Sequence, residues 1–482
     1  MSKKLIPLLI VALLIVLMLA GCESTKYGPI PGGDANAIVS NNGGLAVRQG
    51  DYLYFVNGFS DYDSEDPKTN FFGNVVKGAI MRGTLAVDGT LTDVVTVVPK
   101  KVMSTSTDTG ISVFGNWIYY VSPSTGTDNK GNVLTDYIDF YRTSIDGSDT
   151  EKITRINGNA TEYKFTSKAL VYYLDKKLVS IDLTSKKFKE TTIDEEVVSI
   201  LFPDSSNYDP ANPSEISDYI FYTKASESEL DSNNVVYSVN ANGSNKKTLI
   251  DKATYVTTEN PNDLTNIFTI SLLSSSITGN NVAIYYTKKA VGTMANQDRG
   301  LYGYEFSDTN FTFSKANEKC FSLTTTTKIY PISFTKGVLI LDATPNVLAF
   351  AALADQLPVK VEYEFPASIT VLGVSAIEGV DYVYYLASSK LNRFPLDKSE
   401  NAAVIIDSVI KTGWAGPDFI NGVMYYVNEE YNYTYMVKLN TYDISDTEAI
   451  ENILIGQMND VDKAAKEAAD KKAAEEAAAE ED

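Results

Sequence analysis

From about residue 44 to residue 456 the chain alternates short apolar runs, dense in Tyr, Val and Ile, with stretches of Gly, Asn, Asp and Ser. Runs of four to seven branched or aromatic residues between turn formers predict strands, and their frequency predicts an all-β fold. One pattern recurs eight times: Tyr52-Leu-Tyr54-Phe-Val56, Trp117-Ile-Tyr119-Tyr-Val121, Leu170-Val-Tyr172-Tyr-Leu174, Tyr219-Ile-Phe221-Tyr-Thr223, Ala283-Ile-Tyr285-Tyr-Thr287, Val338-Leu-Ile340-Leu-Asp342, Tyr382-Val-Tyr384-Tyr-Leu386 and Val423-Met-Tyr425-Tyr-Val427. Their centres lie 41 to 65 residues apart. A four-stranded propeller blade needs about 40 to 45 residues, so the shortest steps fit a bare blade and the longer ones carry insertions.

A third strand and a hairpin follow each aromatic run. Phe140 to Ile145 leads through Asp146-Gly147 into Glu151 to Thr154, and Val236 to Ala241 leads through Asn242-Gly243 into Lys247 to Ile250. Asp-Gly and Asn-Gly favour positive φ and close tight hairpins. Strands apolar on both faces need cover on both sides, and radial stacking of like sheets provides it. The expected fold is an all-β propeller of four-stranded antiparallel blades, eight of them. The sixth unit is the weakest, with Leu339-Ile-Leu341 in place of tyrosines, which leaves seven blades as the alternative. The Ile38-Val39 stretch is expected to join the last blade as a closing outer strand.

Ile118-Tyr-Tyr-Val, Tyr141 to Ser148 and Lys152-Ile-Thr154 resemble the repeat of the YWTD propellers of low-density-lipoprotein receptors. They are closer to a bacterial family of lipoproteins with Tyr-Tyr repeats and uncharacterised function. The resemblance spans roughly residues 44 to 455 and implies a fold, not a chemistry. The chain lacks the repeated Trp and the cysteine-rich modules of the receptors, so their ligands do not carry over.

Ahead of the repeats, Lys3 and Lys4 precede an apolar run, Leu5 to Ala20, that is short for a membrane span and is broken by Pro7. This pattern predicts a signal peptide over residues 1–21. Its end, Leu19-Ala20-Gly21-Cys22, resembles the lipobox of bacterial lipoproteins, which implies acylation of Cys22 and attachment of an extracytoplasmic protein to the cell membrane, or to an outer membrane where one exists. Two or more acyl chains hold a protein stably at a lipid surface. Residues 22–43 read as a tether, 44–456 as the propeller, and 457–482 as an acidic, Ala-rich tail. The tail carries nine acids against four lysines and no apolar stripe, so a solvated helix is expected. Cys320 is the one thiol besides Cys22 and is read as a buried apolar residue.

Charge and composition then narrow the function. The formal net charge is -21, falling to -23 once Lys3 and Lys4 leave with the signal peptide, which argues against nucleic acid as a partner. There is no histidine, so Ser-His-Asp and Cys-His nucleophiles and His-ligated metals are excluded. Asp61 to Asp66 alternates carboxylates but lacks the glycine and the distal Glu of a calcium loop. Six scattered arginines give no sialidase-like cluster. No metal and no cofactor is expected.

Strand alternation brings the loops between second and third strands to the same end as the connections between blades. Gly58 to Lys77, Ser122 to Asp136, Ala225 to Asn233 and Ala290 to Arg299 are read as the former, Pro203 to Ser217 and Asp251 to Asn266 as the latter. Binding tends to reside where loops vary freely. The candidate ligand-face residues are therefore Tyr62, Asp63, Asp66, Phe71, Phe72, Asp128, Tyr208, Asp209 and Trp414. Rings beside carboxylates suit a glycan or a protein of the envelope. The expected function is a non-enzymatic binding lipoprotein; a polysaccharide hydrolase or lyase, or an envelope assembly scaffold, are the alternatives.

Overall fold

The computed structural model describes residues 30–480 apart from 31, 61–66, 74, 88, 103–109, 158–161, 204–206, 214–217, 225–234, 252–267, 291–299, 308–310, 325, 327, 342–346, 353–358, 366–367, 389, 399–402, 407–409, 411–415 and 440–451. The expected signal peptide and Cys22 lie outside the described residues. Among those described, no helix is long and apolar enough to cross a membrane.

The chain forms eight antiparallel blades, each built from four strands consecutive in sequence and ordered from the axis outward. Blade one comprises Ala46–Gln49, Tyr52–Val56, Ile80–Leu85 and Leu91–Val98; blade two Ser112–Phe114, Trp117–Pro123, Tyr137–Ser144 and Thr150–Asn157. Blade three comprises Glu162–Phe165, Ala169–Leu174, Lys177–Asp182 and Glu190–Asp194; blade four Val197–Leu201, Tyr219–Lys224, Val235–Asn240 and Lys247–Ile250. Blade five comprises Phe268–Thr278, Asn281–Ala290, Gly300–Ser307 and Lys319–Ser322; blade six Ile329–Ser333, Gly337–Leu341, Val347–Ala352 and Val359–Glu364. Blade seven comprises Ile369–Ile377, Val380–Ala387, Lys390–Pro395 and Ala403–Ile406; blade eight Asp418–Ile420, Val423–Val427, Thr434–Lys438 and Ile453–Leu454.

Paired tyrosines mark the second strand because successive side chains point to opposite faces of a sheet, and here both faces are interfaces. In blade two Tyr119 packs with Phe165 and Leu170 of blade three, while Tyr120 packs with Tyr54 and Val56 of blade one. Tyr285 and Tyr286 divide likewise between blades six and four, and Tyr425 and Tyr426 between blades one and seven. Blade six obeys the same rule without rings. Leu339 faces blade seven and Ile340 faces blade five, so the weak sixth unit is a true blade. In blade three the pair is shifted by one residue: Val171 and Tyr172 take the two positions, and Tyr172 faces blade two.

Arginine clips several interfaces. Arg142 lies cross-strand from Tyr119, stacks on Trp117 and Phe188 at 4.3 and 4.8 Å, and pairs with Glu151 at 2.6 Å. Its Nη1 donates to Leu183 O of blade three at 2.9 Å. Arg82 repeats the arrangement one blade earlier, cross-strand from Tyr54, over the Tyr52 ring, and donating to Ile145 O of blade two. Arg393 stacks on Tyr382 in blade seven. The expected hairpins form as anticipated: Gly147 and Gly243 take φ of 72° and 83°, and the preceding Asp146 and Asn242 accept from Ser148 and Ser244.

Blades three and four are clipped by a carboxylate instead. Asp194 accepts from Tyr222 OH and Lys224 Nζ at 2.8 Å and from Lys246 Nζ at 2.5 Å. Burial would raise its carboxyl, but these donors outweigh burial and hold it well below the usual carboxylate range. Such a group stabilises the fold at neutral pH and loses its contribution as pH falls below its ordinary value toward the depressed one. Asp194→Ala is expected to cost about 2 kcal/mol in urea denaturation at pH 7, since both lysines are partly exposed, and less at pH 3.

Closure needs no exchanged strand. Blade eight meets blade one through Gly58 N and Phe59 N, which donate to Thr434 Oγ1 and Asn432 O at 2.9 and 2.8 Å, and through Thr434 Oγ1, which donates to Val56 O. Asn57 exchanges two hydrogen bonds with Gln457. The expectation that Ile38-Val39 closes the last blade is therefore corrected. Blade eight completes its own sheet with Ile453–Leu454, and Val39–Ser40 pairs on the axial edge of Ala46–Gln49. Sequence proximity makes that hairpin cheap, whereas the last blade already has an outer strand.

The C-terminal helix, Asp460–Glu480, is exposed over most of its length, as its composition implies. Its first turn is held nonetheless. Asn459 caps it by accepting from Asp462 N, and Asp462 bridges Lys77 Nζ at 2.6 Å and Tyr433 OH at 2.8 Å.

Candidate functional site

The two ends of the propeller differ. Turns from inner to second and from third to outer strands emerge at one end, the turn end; second-to-third loops and blade-to-blade connections emerge at the other, the loop end. Of the residues expected on the loop end, Tyr62, Asp63, Asp66 and Trp414 lie outside the described residues. Phe71 is there and exposed (45%). Phe72 is half-buried against the cluster between blades one and two. Beneath them Asn70 is fully buried, its amide donating to Ser122 Oγ and Pro123 O and its Oδ1 accepting from Lys101 N. Asp128 spends its carboxylate on its own loop, accepting from the backbone of Lys130 and from both nitrogens of Asn132; Asn132 holds the group below the ordinary carboxylate range. That loop lies on the guanidinium of Arg155, which is bidentate to the buried Asp139, and only a glycine at position 126 permits the approach.

Tyr208 and Asp209 are elsewhere. Residues 203–217 do not connect two blades; they join the inner and second strands of blade four, because Val197–Leu201 is itself the inner strand. The segment therefore projects from the turn end. The polar, Pro-rich composition of 203–217 hid this, since an insertion within a blade and one between blades read alike. Tyr208 folds back onto Phe114 of blade two, ring centroids 5.1 Å apart and edge-on, and exchanges backbone hydrogen bonds with Val39 at 2.8 and 2.9 Å. Asp209 closes its own turn on Ala211 and Asn212. Neither side chain joins Phe71 or Asp128 in a common site.

What these contacts build is a strap. The segment expected to be free tether up to residue 43 lies, from Ile30 on, against the turn end. Ile30 N donates to Asp146 O, Gly32 O accepts from Arg82, and Val39 bridges Gln49 of blade one and Tyr208 of blade four. The hairpin Val39–Ser40 with Ala46–Gln49 fills the axial channel on that side. Leu45, Ala46, Val47, Gln49, Ile111 and Val113 are accordingly buried.

On the opposite side the channel stays open. Every residue of the inner strand of blade six, Ile329–Ser333, is half-exposed, in contrast with the buried inner strand of blade two. Here the inner strands of blades five, six and seven enclose a cavity of about 600 Å³. Ser274, Thr278, Ser333 and Thr335 line it with hydroxyls; Tyr330, Ile332 and Val374 line it with apolar surface. Lys336 and Asp381 pair at 2.6 Å among the lining residues. Sequence reading missed this site because its residues are scattered along blades five, six and seven, none of them unusual alone.

Other polar clusters are internal. Lys288 and Glu318 form a buried pair at 2.7 Å in blade five, joined by Tyr286 OH, with Lys288 Nζ 3.6 Å from the Tyr302 ring centroid. Burial pushes Lys288 down despite its partner and pushes the thiol of the neighbouring Cys320 up. Cys320 is half-buried on an outer strand, not a core residue, and its raised thiol is a poor nucleophile. Among the described residues no group of three or more His, Cys, Asp or Glu could hold a metal ion.

No protein-family model and no curated protein matches the chain. Solved structures do. A prolyl endopeptidase is 10% identical with a TM-score of 0.42, over 84% of this chain and 54% of that one. Porphyromonas gingivalis dipeptidyl peptidase 4 is 9% identical at 0.39, over 86% and 60%. A chain of a nidogen/laminin complex is 9% identical at 0.26, over 61% and 92%. The chain thus spans about half the length of the prolyl endopeptidase it resembles, and identities of this size speak to fold alone.

Proposed function

We propose that this protein is a lipoprotein, acylated on Cys22 and held outside the cytoplasm, whose propeller binds a glycan of the cell envelope without transforming it. Support for anchoring is the ordered succession of Lys3-Lys4, the apolar run and Leu19-Ala20-Gly21-Cys22. Support for glycan binding is the axial cavity. Its volume suits one or two sugar rings, its four hydroxyls can exchange hydrogen bonds with sugar hydroxyls, and its apolar strip of Tyr330, Ile332 and Val374 suits their C–H faces.

Binding is favoured over hydrolysis by the acids. Glycosidases work with two carboxyl groups at a set separation. Asp381 is the only carboxylate among the described lining residues, and it is committed to Lys336. A glycan array probed with the propeller is expected to return a saturable ligand, and Tyr330→Ala to weaken it at least about tenfold. Binding that survives Tyr330→Ala and Thr335→Val together would remove the cavity as the site, and turnover of a bound polysaccharide would replace this reading with the hydrolase.

A further inference from the structure

The strap determines where the chain leaves the propeller. Ile30, Gly32 and Val39 are all hydrogen-bonded at the turn end, to Asp146, Arg82 and Tyr208. Seven residues, 23–29, separate Ile30 from Cys22, and eight residue steps span at most about 28 Å when fully extended. Blade height beside the strap can be read from the second strand of blade two, Trp117–Pro123, whose seven residues rise about 23 Å and whose hairpin runs on beyond it to the Thr127–Val133 bridge. A tether starting at the turn end is therefore too short to run the height of the body and reach past the loop end.

We infer that the turn end, with the mouth of the axial cavity, faces the lipid surface, and that the loop end faces away from it. This rests on the reading of Cys22 as the acylated residue. It adds a selection rule for the cavity: its ligand has to be presented within the gap between propeller and membrane. A soluble or distant polymer is met by the loop end, where Phe71 stands exposed.

Single cysteines in a Cys320→Ser background test the orientation. Asn280, in the first turn of blade five, and Lys187, in the last turn of blade three, are exposed at the turn end; Lys176, 70% exposed, lies in the second-to-third turn of blade three at the loop end. Full-length protein purified with its native acylation, carrying a donor dye at one of these positions, is added to phosphatidylcholine vesicles containing a rhodamine-labelled lipid. Energy transfer from positions 280 and 187 is expected to exceed that from 176 at least about twofold, because the dyes differ in height by a blade. Sedimentation with the vesicles but equal transfer, or stronger transfer from 176, overturns the orientation. Failure of the acylated protein to sediment, or sedimentation of Cys22→Ser equal to the parent, overturns the anchoring reading itself and the inference with it.

Discussion

Replacing Arg142 with Ala is expected to lower the stability of the propeller by about 3–5 kcal/mol, the range for leaving one member of a buried ion pair without its partner. The magnitude follows from how much converges on one side chain. Arg142 is 5% exposed, is sandwiched between Trp117 and Phe188, pairs with Glu151, and supplies the donor to Leu183 O in the next blade. Truncation leaves Glu151 and a blade-three carbonyl short of a donor and opens a gap between two rings. Arg142→Lys keeps the charge but not the planar group that stacks while donating in two directions, so it is expected to recover less than half of the loss. Urea denaturation of the three proteins measures both. A loss below about 1 kcal/mol for the alanine variant would show that tyrosine packing alone holds these blades together.

Acidification between pH 7 and pH 4 is expected to stabilise the protein, and Asp418→Asn to remove the largest single share of the effect. Asp418, on the inner strand of blade eight, is buried; its Oδ2 accepts from Ala46 N at 2.8 Å, and Leu45 N and the Asn41 amide add neutral donors. Burial pushes its carboxyl up to about 6, and these donors offset burial only in part. The folded state thus binds a proton more tightly than the unfolded chain. Its contribution is complete below the ordinary carboxylate value and is lost as pH rises through about 6. A displacement of that size corresponds to about 3 kcal/mol between the two limits. Asp194 has the opposite sign but acts below the ordinary carboxylate value, so the two windows do not overlap. Denaturation midpoints at pH 4, 5, 6 and 7 decide the matter: a flat profile for the parent protein, or one unchanged in Asp418→Asn, would contradict the assignment.

The fold was legible because its signal is periodic and redundant. Each second strand has to fill two interfaces, so bulky residues must occur side by side rather than alternate with polar ones, and eight such pairs outvote the one unit that lacks rings. Leu339 and Ile340 show that the physical requirement is apolar volume on both faces, with tyrosine its commonest solution here. The arginine clips were invisible as scattered single residues; only the cross-strand register brings Arg82 and Arg142 opposite Tyr54 and Tyr119. The site was less legible still. Tyr208 and Asp209 went to the wrong end because Val197–Leu201, whose polar Ser199 interrupts the run, does not announce itself as an inner strand. The strap escaped notice because Gly and Asn are equally suited to a free linker and to a chain laid closely over packed turns.

Because every sheet is drawn from one uninterrupted stretch of sequence, a chain delivered from its N-terminus can assemble blades in the order in which they emerge, with mostly local contacts to form at each step. The seam between Val56–Phe59 and Asn432–Thr434 is different, for its halves are made first and last. Until the ring shuts, blade one presents Leu53, Phe55 and Met81 to solvent on its open flank. Nascent chains stalled before residue 418 therefore carry an adhesive flank at each end of the arc, and joining of two such arcs into a larger wheel is the misassembly to look for when C-terminal truncations are produced.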